Sequence, residues 1–156
     1  MNTSTAKTSD RELIIERIFD ASRETVFSVW TTCEHLARWF GPKDFTAPSC
    51  EIDFRVGGSY RIVMRSPEGE EHPVWGEYRE IIAPERIVLT WNRGQDARAD
   101  LWSTTIVELT FAEYGNKTHF VLRQGPFEET SYRDEHGIGW NQCLDRLREY
   151  VSQIKL

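Results

Sequence analysis

The chain has 156 residues and a net charge of −6, a length that suits one domain with a substantial core. An acidic balance without a concentrated basic face speaks against nucleic acid and anionic membrane surfaces as partners. No apolar run approaches a membrane span and MNTSTAKTSDRE holds no secretory core, so no membrane insertion is expected and a cytoplasmic protein is the simplest reading.

Residues 1–10 are expected to be a disordered N-terminal segment and 11–156 a single domain. ELIIERIF (12–19) is isoleucine-rich and bounded by polar residues, the pattern of a first strand. Two short helices follow. Ser22 caps the first, whose Val26, Val29 and Trp30 share a face, and Leu36, Trp39 and Phe40 mark the second, which Gly41 and Pro42 end.

From residue 45 the apolar period becomes two, and six extended segments alternate with turns. FTAPSCEIDF runs through Gly57-Gly58 into SYRIVMR, and Pro67-Glu68-Gly69 leads to VWGEYREII. Ala83-Pro84-Glu85 turns the chain into RIVLTW, the polar loop NRGQDARAD follows, and STTIVELTF and THFVLRQ form a hairpin at Gly115-Asn116. The last element is a long helix over about 131–154, in which Trp140, Leu144, Leu147, Val151 and Ile154 recur at spacings of four, three, four and three. His136 and Cys143 lie seven residues apart on it, roughly 10 Å at 1.5 Å per residue, too far for a nucleophile and its base.

This order reads as an α+β domain: about seven mostly antiparallel strands, two short helices after the first, and one C-terminal helix to cover the sheet. A sheet that buries its inner face against one helix of roughly 36 Å must curl, and curling leaves a hollow. In order and spacing the chain resembles the helix-grip fold of the START-related (SRPBCC) superfamily. More narrowly, FDASRETVFSVWTTCEHLARWFGP, DFRVGGSYRIVMRSPEG, GEYREIIAPERIVLTW and HGIGWNQCLDRLREYV resemble bacterial single-domain proteins related to the C-terminal domain of the heat-shock-protein-90 ATPase activator. The resemblance implies a helix-grip fold. It leaves three activities open, since binders, polyketide cyclases or hydrolases, and chaperone partners share the scaffold.

Alternation places Tyr60, Ile62 and Met64 inward, with Arg61, Val63 and Arg65 outward. Trp75 or Tyr78, Trp91 and Phe120 from later strands, and Trp140, Cys143 and Leu147 from the last helix, join them as candidate cavity residues, with Trp102 beyond the polar loop as a candidate gate. The hollow is expected to hold several hundred Å³, the usual scale of a small-molecule site. Trp140 is expected in its wall and 92–102 at its rim, and Gly139 is expected to let the helix approach the sheet closely.

No nucleophile elbow, phosphate loop, dinucleotide fingerprint or HExxH pattern occurs, so no catalytic residue, metal or other cofactor is assigned. Glu80, Tyr78 and His136 are the residues an enzyme reading would use for proton transfer, although Glu80 is expected to pair with an arginine and His136 to be exposed. Cys33, Cys50 and Cys143 are odd in number, widely spaced and in no CxxC arrangement, and read as reduced thiols. The leading reading is a binder of a hydrophobic small molecule, apolar or aromatic. A chaperone, or a second copy of the chain in a homodimer, are the other partners considered.

Overall fold

A computed structural model of the protein describes residues 11–94 and 104–154. The chain runs β1 (Leu13–Phe19), α1 (Arg23–Ser28), α2 (Cys33–Trp39), β2 (Thr46–Ile52), β3 (Ser59–Arg65), β4 (Glu71–Ile82), β5 (Arg86–Arg93), β6 (Thr105–Tyr114), β7 (Lys117–Gly125) and α3 (Thr130–Gln153). The seven strands form one antiparallel sheet in the order β1-β7-β6-β5-β4-β3-β2. It is curled but not closed, with β1 and β2 as its edges. This is the α+β helix-grip arrangement read from the sequence. None of the described helices is long and apolar enough to cross a membrane.

Local chemistry explains the elements. Ser22 and Thr32 cap α1 and α2, their hydroxyls accepting from the backbone N–H groups of Thr25 and His35. After Phe40 closes α2, Gly41 takes φ +116°, a conformation that favours glycine. The α2–β2 loop is then held on α3, whose Arg146 donates to the carbonyls of Gly41 and Pro42 at 3.0 and 3.1 Å. Gln142 Oε1 accepts from the Lys43 backbone N–H at 3.0 Å.

The stripe on α3 buries Trp140, Leu144, Leu147 and Val151, together with Cys143. They meet an aromatic core in which Trp30 stacks on Phe120 at 5.8 Å, and Phe19 and Phe111 each present an edge to Phe120 at 5.4 Å.

In four places the structure departs from the sequence reading. β4 starts at Glu71 rather than Val74, with Pro73 inside the strand opposite Val63, which is buried rather than exposed on the outer face. Between Tyr78 and Glu80 the β4–β5 register shifts, so one extra residue re-aims the remainder of the strand. Tyr78 faces the core while Glu80 turns out and pairs with Arg86 at 2.8 Å, beside an Arg86–Glu108 pair.

Gly139 is not where the helix needs a glycine, because a Cβ there would meet only Pro42 Cγ at 3.8 Å. Close backbone approach occurs instead at Gly76, where a Cβ would lie 2.2 Å from the Thr90 carbonyl oxygen.

Finally, Cys33 and Cys50 are disulfide-bonded, with Cα atoms 5.7 Å apart, which corrects the reading of three free thiols. The start of α2 comes to rest on edge strand β2, a proximity that spacing along the chain does not reveal. Disulfides persist in oxidising compartments and are uncommon in the cytosol, so the bridge weighs against the cytoplasmic expectation.

Candidate functional site

A cavity of about 470 Å³ opens at one end of the sheet. Its apolar walls come from the α2–β2 loop (Phe40, Gly41, Pro42, Phe45), from the facing ends of β3 and β4 (Met64, Pro73, Val74), from Trp91 on β5, and from Gly139, Trp140 and Cys143 on α3. Glu71, His72, Arg93 and Glu135 bring charge and polarity to it. Arg93 pairs with Glu135 at 3.5 Å, bridging β5 and α3, and Arg65 pairs with Glu71 at 2.9 Å. A mostly apolar space with few polar groups is the ordinary make-up of a small-molecule site.

Of the candidate cavity residues, Met64, Trp91, Trp140 and Cys143 lie on this space. Tyr60, Ile62 and Tyr78 instead border a separate void of about 30 Å³ deeper in the fold, shared with Trp91 and Trp140. Phe120 and Leu147 are fully buried in the core and border neither space. Trp75 is half-buried and its indole N–H donates to the Gly94 carbonyl at 3.2 Å, which anchors the end of β5. Trp102, and with it the gate, falls outside the described residues; of the expected rim 92–102, Arg93 and Gly94 border the cavity.

The α2–β2 loop is the wall that sequence reasoning missed. Phe40, Pro42 and Phe45 read as the end of a helix and the start of a strand, and their signal was the apolar character of a loop that includes Gly41 and Pro42.

His136 is half-buried rather than exposed, and it lines the cavity. Nδ1 lies 2.8 Å from the Tyr132 carbonyl, so it carries the proton, and Nε2 accepts from the Trp91 indole N–H at 3.3 Å. Both ring nitrogens are therefore occupied by the fold. Burial holds the imidazole below its ordinary value of 6.5; the hydrogen bond to the Tyr132 carbonyl opposes this and Arg93 adds to it. Protonation would also turn Nε2 into a donor facing the Trp91 donor.

The unfolded chain takes up this proton first, so stability is full above the ordinary imidazole value and declines as pH falls through it. Lowering the pH from about 7.5 to about 5.5 is thus expected to reduce the urea midpoint of the wild type more than that of His136→Gln. Identical declines in the two proteins would show that the folded ring takes its proton freely.

The three residues of the enzyme reading do not converge. Tyr78 borders the inner void, where burial raises its phenol well above the ordinary range; Glu80 faces outward on Arg86; and His136 stands on the end cavity. Cys143 is no more available. Burial pushes its thiol up to about 12, and its sulfur accepts from the Gly41 backbone N–H at 3.3 Å.

A curled antiparallel sheet gripping a C-terminal helix, with a cavity at one end, defines a protein of the START-related type. The family described as Activator of Hsp90 ATPase homolog 1-like protein matches residues 20–152, and the chain belongs to that family.

Among solved structures it is similar to a Chromobacterium violaceum protein, 24% identical over 92% of this chain and 99% of that one with a TM-score of 0.78. It is also similar to the AHSA1 protein of Silicibacter pomeroyi, at 22% identity over 90% and 97% and a TM-score of 0.80. A third similarity is to the AHSA1-like protein of Aeromonas hydrophila, at 21% over 90% and 92% and a TM-score of 0.73. At these identities the likeness establishes the fold. No curated protein matches the chain.

Proposed function

We propose that the protein binds an apolar or aromatic small molecule in the end cavity and performs no chemistry on it. The observation that carries this reading is the cavity of about 470 Å³, with Trp91, Trp140, Phe40, Phe45 and Met64 on its walls. Affinity would come from desolvating those rings. His136 supports a holding role over a proton-transfer role, because both of its nitrogens are already engaged.

Gly139 provides the test. It lines the cavity, and a Cβ there meets nothing closer than Pro42 Cγ at 3.8 Å. Gly139→Leu therefore projects four carbons toward the binding space without displacing backbone. Relieving a helical glycine should leave stability unchanged or raise it by about 0.5–1 kcal/mol. Ligands found by tryptophan fluorescence or NMR among aromatic polyketides, flavonoids and fatty acids should bind the variant at least roughly tenfold more weakly, a loss of about 1.4 kcal/mol. A variant of wild-type affinity would move binding elsewhere on the molecule.

The chaperone reading has the family description alone in its favour, and a pull-down with the bacterial heat-shock-protein-90 homologue tests it separately.

A further inference from the structure

Phe40, Trp91 and Trp140 border both the end cavity and the 30 Å³ void behind it. Their ring centroids are 6.4, 6.0 and 5.2 Å apart, so the two spaces meet at one triangle of rings. Trp30 lies on the void side, its ring 6.3 Å from that of Trp140.

Trp30 is also an exception among the described tryptophans. Trp39, Trp75, Trp91 and Trp140 each donate their indole N–H, to Val29 O, Gly94 O, His136 Nε2 and Gln124 Oε1 respectively. The Trp30 Nε1–H is buried and has no acceptor. Buried donors are nearly always partnered, and leaving one bare forfeits the hydrogen bond it made in water. The void carries two hydroxyls, Tyr60 and Tyr78, and neither accepts from Trp30; the Tyr60 hydroxyl donates to the Thr90 carbonyl at 2.5 Å. The void is the open space that Trp30 borders, so an acceptor has room there once the Phe40, Trp91 and Trp140 rings move apart.

We propose that the end cavity and the inner void are two parts of one ligand site. A ligand parts the Phe40, Trp91 and Trp140 rings, and its leading end carries a neutral carbonyl, as in an aromatic ketone or quinone, that accepts from Trp30 Nε1–H. This rests on the small-molecule reading and adds the ligand's chemistry and orientation. The leading group is neutral because no cationic side chain lines the void, and an unpaired anion there would lose its hydration without return. It is an acceptor because an ammonium or amide N–H would set donor against donor. The charged groups at the end cavity leave any polar tail in contact with Arg93, Glu135 or solvent.

A matched pair of probes tests this: 2-acetylnaphthalene and 2-isopropylnaphthalene, which have nearly the same shape and differ in the carbonyl. Calorimetric titration of the wild type should give roughly tenfold tighter binding of the ketone, the worth of one buried hydrogen bond. Trp30→Phe should remove that preference and keep hydrocarbon affinity within about threefold; its smaller ring gives up packing against Trp39 and Phe120, so its urea midpoint should fall while it still folds. In the wild type, where folding of a variant is not at issue, the Trp30 indole N–H resonance should move downfield with the ketone and not with the hydrocarbon.

Equal affinities for the two probes, a preference that survives Trp30→Phe, or an unmoved Trp30 resonance would overturn the proposal and leave the cavity reading standing. A void filled by a resident water would give that pattern. Failure of both probes to bind would overturn both.

Discussion

Phe120→Ala is expected to lower the stability of the fold by roughly 3–5 kcal/mol, read as a shift in the urea midpoint, because a large aromatic is deleted from a site that cannot collapse around the gap. Phe120 is fully buried at the junction of three rings from different parts of the chain: Phe19 on β1, Trp30 after α1, and Phe111 on β6. Each neighbour is itself fixed by others, since Trp30 also meets Trp39 at 4.7 Å and Phe27 meets Phe111 at 5.2 Å. The lost contacts are therefore not remade by local relaxation. The same substitution should change cavity affinity little, because Phe120 borders neither space. A loss near 1 kcal/mol would mean that the cluster tolerates a void of this size and that these rings do not confine one another.

The contrast between Phe120 and Met64 shows what periodicity reveals. Both face inward on their strands, and the alternation that places them there is plain in THFVLRQ and SYRIVMR. One is sealed in the core and the other lines a cavity. The difference lies in position along the strand relative to where α2 stops and where the first half of α3 lies over the sheet. Side-chain period reports the face and not the depth. Trp140 was legible on both counts, as a member of the buried stripe and as a wall.

Register irregularities are the second limit. Nothing in VWGEYREII announces the extra residue that sends Glu80 outward while Tyr78 stays in, because a bulge depends on the partner strand. The arginine partner expected for Glu80 was correct; the face it occupies follows from the bulge. His136 illustrates a third limit. Its charged neighbour Glu135 suggested exposure, whereas Phe127, Trp91 and the Tyr132 carbonyl, brought together by the fold, enclose it.

Reduction of the Cys33–Cys50 bridge is expected to lower stability by about 3 kcal/mol, the loop-closure value for a ring of this size in the chain-entropy account. The two cysteines are 17 residues apart, and the enclosed segment contains all of α2 and the α2–β2 loop that supplies Phe40, Gly41, Pro42 and Phe45 to the cavity. β2 is an edge strand paired with β3 alone, so the bridge adds a covalent tie where the sheet offers hydrogen bonds on one side only. The Cys33→Ala/Cys50→Ala variant should show the same loss, and hydrogen exchange should quicken first in residues 34–49, the segment released by cutting the tie. Thiol titration of the denatured, unreduced chain should find one reactive group, Cys143, and three after reduction, matching the three cysteines of the sequence. Three thiols before reduction would refute the bridge outright. One thiol with an unchanged midpoint after reduction would instead show that Arg146 and Gln142, which hold the same loop to α3, already confine it without the covalent link.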